Sequence, residues 1–166
     1  YDIFVRDQQL GTTTRVSVGS GGTQANGGAW FPAMSADGRF VAFESWAGLL
    51  VPGDTNGMPD IYVRDIVNGT IERVSVGPGG ILADADSNWT SISADGRFVA
   101  FSSAASNLVV GDSNQRYDVF VRDRVLGTTE RVSVSTAGLE ADMESALPSI
   151  SSDGRFVTFR SLATNL

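Results

Sequence analysis

Cysteine, histidine and lysine are all missing from this 166-residue sequence. Without cysteine there is neither a disulfide framework nor a thiolate metal site. Without histidine the chain lacks the usual zinc ligand, the usual general base and any Ser-His-Asp or Cys-His catalytic arrangement. Paired carboxylates remain as the one common route to hydrolysis, and we expect the chain not to be an enzyme.

The charge of the chain is strongly one-sided. The chain has 19 acidic and 12 basic residues, the basic ones all arginine, and its net charge is −7. Such a surface repels nucleic acid and anionic membranes, so we expect no nucleic-acid partner. No run of about 18 apolar residues is present, and we expect no membrane insertion. With 42% hydrophobic residues the chain can still bury a substantial core.

A 58-residue repeat dominates what is present. Two strings recur at that spacing without insertion or deletion, DIFVRD at 2–7, 60–65 and 118–123, and SADGRFVAF at 35–43, 93–101 and 151–159, each with small variations. We therefore predict one domain, 1–166, of three repeats at about 1–58, 59–116 and 117–166, the last truncated. A fixed period of this kind indicates stacked units that bury their apolar faces against one another.

Each repeat predicts four short antiparallel strands. In the most complete copy these are Thr90 to Ser93, Arg97 to Ser102, Asp118 to Arg122 and Glu130 to Val134. An Asp-Gly turn at 95–96 and a Gly turn at 127 join the first and second pairs. Four strands per unit, with no helical stripe, predict an all-β fold built from β-propeller blades.

The long loops all fall on one face of such a blade. The turns within the two strand pairs are tight, whereas the connections Ser103 to Tyr117 and Ser135 to Leu147 are long. Long loops on a rigid scaffold commonly carry binding sites. We therefore expect a protein or carbohydrate ligand to bind on this long-loop face.

The repeated strings resemble the TolB-like β-propeller family. That family has a Ser-Pro-Asp-Gly turn, an apolar strand ending Ala-Phe, an Ile-Tyr-Val strand and a short Arg-Leu-Thr strand, and SADGRFVAF, DIYVRD and RVSV follow the same order. Ala36, Ala94 and Ser152 replace the proline, and the repeat is longer than the roughly 40 to 45 residues common for a blade. The resemblance implies a binding or scaffold module of an exported bacterial protein that is secreted, periplasmic or on the cell surface.

The repeat register predicts two complete blades flanked by two half blades. A propeller normally needs four to eight blades. We expect the ring to be completed to six blades by a second copy in a homodimer, or else by further repeats of a longer array.

One interpretation of the loop that follows the second strand is a calcium-binding site. Oxygen-bearing side chains recur there at matching positions, namely Asp54, Asn56, Asp60, Asp112, Asn114 and Asp118. Calcium takes six to eight oxygen ligands, and this spacing lets a loop wrap an ion. The alternative is that these Asp and Asn side chains cap the turn of their own loop.

A second acidic set lies between the blades, at Asp84, Asp86, Asp142 and Glu144. Because these acids repeat, they favour ligand contacts or plain solvation over a unique catalytic pair. With Trp46 they define a candidate ligand-binding face, and Trp89 is expected in the core between blades. Two alternatives stay open, a calcium-assisted lectin-like propeller and an accessory propeller of an enzyme whose catalytic domain lies outside this chain.

Overall fold

The computed structural model describes all residues, 1–166, and contains twelve β-strands. They are β1 (Phe4–Asp7), β2 (Thr12–Arg15), β3 (Ala29–Met34), β4 (Phe40–Ser45), β5 (Asp60–Asp65), β6 (Thr70–Arg73), β7 (Ser87–Ile92), β8 (Phe98–Ser103), β9 (Asp118–Asp123), β10 (Thr128–Arg131), β11 (Ser145–Ile150) and β12 (Val157–Ser161). The only helical segments are two single 3-10 turns, Ser20–Gly22 and Pro78–Gly80. The all-β prediction is confirmed, and none of the helices has the length and apolarity to span a membrane.

The strands form four antiparallel sheets in chain order. Two sheets have four strands, β3-β4-β5-β6 and β7-β8-β9-β10, and two have only a pair, β1-β2 and β11-β12. This confirms the predicted four-stranded blades. It also leaves β1 and β12 each with a sheet edge that no strand of the chain covers.

The bounds of the first and the last predicted strand of the blade were wrong. The first strand of the blade begins at Ser87, three residues before the predicted Thr90, because a bulge around Trp89 interrupts the apolar alternation. The last strand is Thr128–Arg131 and not Glu130 to Val134, because Thr128 already pairs with Asp123 directly after the tight turn.

The Asp-Gly turns are built by one serine and one aspartate in each copy. The Ser93 hydroxyl donates to Asp95 at 2.6 Å, and Asp95 also accepts the Arg97 amide at 2.9 Å. These bonds hold the pKa of Asp95 below its usual value. Gly96 has a φ of 73°, which explains the glycine at this place in the turn.

The core lies between successive sheets. Phe101 and Phe120, fully buried with ring centroids 5.9 Å apart, belong to the cluster between the two complete blades. Phe43 and Tyr62, with centroids 6.1 Å apart, belong to the cluster that faces β1 and β2. Because each core is shared by two sheets, a blade depends on its neighbour for stability.

Neighbouring blades are also joined by a phenylalanine that covers a glycine. The Phe40 ring lies on Gly96 of the next blade, and the Phe98 ring lies on Gly154. Beside this contact the Ala36 amide donates to the Ala94 carbonyl at 2.9 Å, a bond repeated one blade later. The Asp-Gly turn therefore serves both as a hairpin turn and as an inter-blade contact.

Gly96→Ala should destabilise the protein more than Gly111→Ala. Both glycines have positive φ, at 73° and 82°, so both substitutions cost about 1 kcal/mol in backbone strain. Only at Gly96 would the added methyl overlap the Phe40 ring, which adds about 1–3 kcal/mol. Urea denaturation measures the difference, and equal losses would contradict the proposed inter-blade contact.

Candidate functional site

The first Asp/Asn loop converges on an arginine of the outer strand. Asp60 is fully buried and accepts hydrogen bonds from Ser75 at 2.6 Å and from the Asn56 amide at 3.0 Å. The Arg73 guanidinium lies 3.5 Å from Asp60 and 3.1 Å from Asp54. The three residues predicted as calcium ligands thus meet, with an arginine as their cation.

The second loop repeats the arrangement. Arg131 lies 3.2 Å from Asp112 and 3.6 Å from Asp118. Asn114 donates its amide to Asp118 at 2.8 Å, and the Ser133 hydroxyl donates to the other oxygen of that carboxylate. The recurrence shows that each loop folds around its own buried charge network.

This geometry bears on the calcium hypothesis. Asn56 presents its N–H₂ donors, to Asp60 and to the Ala83 carbonyl at 3.1 Å, rather than an oxygen ligand. No group of three or more acidic side chains is arranged to hold a metal ion. Calcium binding at these loops stays a prediction, and the ion would have to displace Arg73 or Arg131 from carboxylates that are already paired.

The two networks differ at two positions, since Phe120 replaces Tyr62 and Glu140 replaces Leu82. In the first, the Tyr62 hydroxyl donates a short hydrogen bond to Asp54. In the second, Phe120 stands at the matching position and has no hydroxyl to donate, while Glu140 lies 2.8 Å from Arg131 and shares its charge. Burial, reinforced by the neighbouring Asp118, raises the pKa of Asp112 to about 6.

Asp112→Asn should flatten the pH dependence of stability between about pH 4 and 6. A carboxyl whose pKa rises on folding from 3.8 to about 6 binds its proton more tightly in the folded state. Its contribution to the free energy of unfolding is complete below pH 3.8 and is lost as the pH rises through about 6, which lowers the stability of the protein by about 2–3 kcal/mol. Urea denaturation at several pH values, with Glu130→Gln as control, measures this, and an unchanged slope in Asp112→Asn would contradict it.

Millimolar calcium should raise the melting temperature no more than millimolar magnesium does. The arginines already supply the positive charge that an ion would bring, so little free energy remains to be gained by mass action. Differential scanning calorimetry tests this. A calcium-selective rise that disappears in both Asp54→Asn and Asp112→Asn would instead support calcium at these loops.

Two of the predicted ligand-face acids are held by the neighbouring loop. Asp84 accepts the Ser106 amide at 2.8 Å and its hydroxyl at 2.7 Å. Asp142 makes the same two bonds to Thr164, at 2.8 and 2.7 Å. These carboxylates fasten the inter-blade loop to the loop after the second strand, and this role accounts for their repetition.

The other two acids of that set, Asp86 and Glu144, lie near a polar cluster at the inner edge of the second complete blade. Burial raises the pKa of the Tyr117 phenol, and the charges of Asp86 and Glu144 raise it further. Asn88 bridges this phenol to a buried carboxylate: its amide N–H₂ donates to both Glu44 oxygens and its amide oxygen accepts from the Tyr117 hydroxyl, each at 3.2 Å. We call Glu44, Asp86, Asn88, Tyr117 and Glu144 the inner acidic cluster.

Free carboxylates are rare in this chain and concentrate in the inner acidic cluster. Of the 19 acidic side chains, only Asp86, Glu130 and Glu144 have no hydrogen-bond or ion-pair partner once Asn88 bridges Glu44. Glu130 lies apart, on the outer strand β10. Burial, with the nearby Asp86, also raises the pKa of Glu44. The cluster can therefore offer carboxylate oxygens to a ligand without breaking the scaffold.

Three members of the cluster, Glu44, Asn88 and Tyr117, escaped sequence analysis. A departure from the repeat is the sequence signal that points to one of them, Glu44. Ser102 and Arg160 occupy the positions one and two repeats after Glu44, whereas Asp86 and Glu144 match each other. Residues that differ between copies are not needed to build a blade, and that contrast could have identified Glu44.

Trp89 belongs to this region and not to the core, so its predicted role was wrong. It is absent from both core clusters, and its ring centroid lies 5.8 Å from that of Tyr117. Its φ of 53° recurs at Phe31 and Leu147, with values of 50° and 58°, and marks a bulge in the innermost strand of every blade. Trp46 is 55% exposed on the loop after β4, where an aromatic surface is open to a ligand.

Solved structures with a similar fold are β-propellers. TolB from Acinetobacter baumannii is 20% identical with a TM-score of 0.57, over 99% of this chain and 33% of that one. A TolB protein from Agrobacterium tumefaciens is 18% identical with a TM-score of 0.56, over 100% and 51%. The tricorn protease is 12% identical with a TM-score of 0.56, over 96% and 13%.

These likenesses confirm the prediction of a TolB-like propeller fold. The chain spans about a third of the first TolB structure and about half of the second. No family model and no curated protein matches the sequence.

Proposed function

We propose that this TolB-like propeller segment is a non-catalytic binding module whose ligand docks at the inner acidic cluster on the long-loop face. The observation that carries the proposal is the distribution of free carboxylates. Two of the three acidic side chains without a partner, Asp86 and Glu144, lie close enough to Tyr117 for their charges to raise the pKa of its phenol. Apart from Glu130, the other acids are engaged in turns, loops or ion pairs, as Asp84 and Asp142 are. Side chains that the scaffold does not use are available for recognition.

The chemistry of the cluster favours a cationic group. Carboxylates attract ammonium and guanidinium groups, and the rings of Trp89 and Tyr117 add attraction for a cation at their faces. The net charge of −7 extends that attraction over a longer range. A protein ligand that presents arginine or lysine side chains fits these properties, and a neutral carbohydrate fits them less well.

Catalysis has little support from the same residues. Hydrolysis by paired acids needs one protonated carboxyl and one ionised carboxylate on opposite sides of a bond. Asp84 and Asp142 are committed to Ser106 and Thr164, and Asp86 and Glu144 occupy equivalent places in different repeats. The proposal therefore assigns these acids to binding.

The cellular setting is also part of the proposal. TolB-like folds, and a chain without cysteine, are compatible with export, and we propose that the protein acts in the periplasm, at the cell surface or outside a bacterium. Fractionation of cells that express the full-length protein tests this point separately from ligand binding.

A peptide-display selection against the chain should enrich arginine- and lysine-rich sequences. Calorimetric titration with an enriched peptide should then give an affinity that falls about tenfold in Asp86→Asn, because one charge-assisted contact is lost. Glu130→Gln, which removes a free carboxylate on the outer strand, is the matched control and should leave the affinity unchanged.

Two results would contradict this proposal. One is a selection that yields no basic sequences, or peptides whose affinity Asp86→Asn does not change. The other is turnover of glycosidic or ester substrates that follows the purified chain and disappears in Asp142→Asn or Glu144→Gln.

A further inference from the structure

Three of the seven asparagines of this chain are followed by glycine, namely Asn26, Asn56 and Asn68. An Asn-Gly pair can modify itself, because the backbone nitrogen of the glycine can attack the side-chain carbonyl carbon of the asparagine and close a cyclic imide. Glycine permits this attack because it has no side chain in the way. Since the residue pair is the same in all three places, the local structure decides which of them reacts.

Asn56 is held on both sides of its side-chain amide. Its N–H₂ group donates to Asp60 at 3.0 Å and to the Ala83 carbonyl at 3.1 Å. Its oxygen accepts the Met58 amide at 3.1 Å. This side chain cannot turn toward the nitrogen of Gly57 without losing hydrogen bonds, one of them to the buried Asp60 carboxylate.

Asn68 is held through both of the groups that would react. Its N–H₂ group donates to the Asp65 carboxylate at 2.9 Å. The N–H of Gly69 donates to the Asp65 carbonyl, also at 2.9 Å. The nitrogen that would attack is therefore already engaged in closing the tight turn between β5 and β6.

Asn26 lacks this protection. It is exposed, and its side chain makes a single hydrogen bond, in which its oxygen accepts the Leu49 amide at 3.2 Å. Neither its N–H₂ group nor the N–H of Gly27 has an acceptor within the protein. The attacking nitrogen and the leaving group are therefore both available in the folded state.

The open position of this asparagine is a property of the loop that repeats along the chain. Its counterparts Asp84 and Asp142 are exposed as well, although a complete blade precedes each of them. The backbone amides of Ala85 and Met143, which correspond to that of Gly27, also lack an acceptor. The available amide thus recurs in every copy, and only the first copy places an asparagine before it.

We propose that Asn26 is a modification site, at which the folded protein slowly converts this asparagine to aspartate or isoaspartate. The Gly27 nitrogen forms a bond to the side-chain carbonyl carbon of Asn26. The bond from that carbon to the side-chain nitrogen breaks, and this nitrogen leaves as ammonia with the proton that Gly27 gives up. Water then adds to either carbonyl of the imide and opens the ring to a free carboxylate.

The aspartate product suits this loop. Aspartate stands at the same position in the other two copies, where Asp84 accepts the Ser106 amide and Asp142 accepts the Thr164 amide, both at 2.8 Å. The conversion therefore adds a negative charge to the long-loop face through a residue that the loop already accommodates elsewhere. This inference concerns one loop and does not depend on the ligand proposed above.

Peptide mapping of stored protein tests the proposal. Because the chain has no lysine, trypsin cuts only after arginine, and the three Asn-Gly pairs fall in separate peptides, 16–39, 40–64 and 65–73, each with a single asparagine. The protein is kept folded in mildly alkaline buffer, and mass spectrometry follows the acid form of each peptide. Peptide 16–39 should convert about tenfold or more faster than the other two, because Asn56 and Asn68 react only from locally opened states.

Storage of the chain unfolded in urea is the matched control, since it removes the hydrogen bonds and should bring the three rates close together. Asn26→Gln should abolish the fast conversion of peptide 16–39 and leave the other two peptides unchanged, and circular dichroism establishes that this variant is folded. A folded chain in which peptide 16–39 converts no faster than the other two would overturn the inference. So would the same ratio of rates in urea, because the fold would then not select the site.

Discussion

A buried carboxylate that must be satisfied is the constraint on which each blade depends. Asp60 and Asp118 begin the third strand with no exposed surface, and burying such a charge without partners would cost several kcal/mol. The chain meets this need with a serine beyond the fourth strand, an asparagine of the long loop and an arginine of the fourth strand. One carboxylate thereby joins three segments that lie far apart in the repeat, and Asn56 extends the connection to the inter-blade link through Ala83. The spacing of Asp and Asn residues that resembles a metal-binding loop is therefore the spacing that this network of hydrogen bonds and ion pairs requires.

The repeat separates residues that build the blade from residues that are free to differ. Asp95, Gly96 and Asp123 have counterparts in every copy. Asp37 repeats the contacts of Asp95, Asp65 repeats the arginine contact of Asp123, and Gly154 repeats the ring contact of Gly96. The inner acidic cluster mixes such positions with others, because Glu44 and Asn88 have chemically different counterparts. The innermost strand of each copy has a bulge at the same position, and in the second complete blade this bulge brings Trp89 against Tyr117 of the cluster. A common scaffold thus carries a local difference at one blade.

The sequence predicted the fold because a fixed period, Asp-Gly turns and alternating apolar residues are local signals that recur in every repeat. It placed the ends of strands less well, since the bulge at Trp89 and the pairing of Thr128 with Asp123 depend on neighbouring strands. For the Asp/Asn loops it identified the right residues but not their partner, because Arg73 lies 13 residues after Asp60 and only the folded hairpin brings them together. Asp84 shows the same limit: its serine partner is 22 residues away.

The contact between a ring and a glycine has a direction, since every blade offers a phenylalanine on one side and a glycine on the other. A directional contact of this kind has no natural end, because each addition recreates the surface that accepts the next. Curvature is what stops it: blades that wedge around an axis return the last surface to the first. A propeller that failed to close would present the same interface as a growing filament does. In a β-propeller, closing the ring therefore leaves no such surface exposed, and the angle between neighbouring sheets decides how many blades that takes.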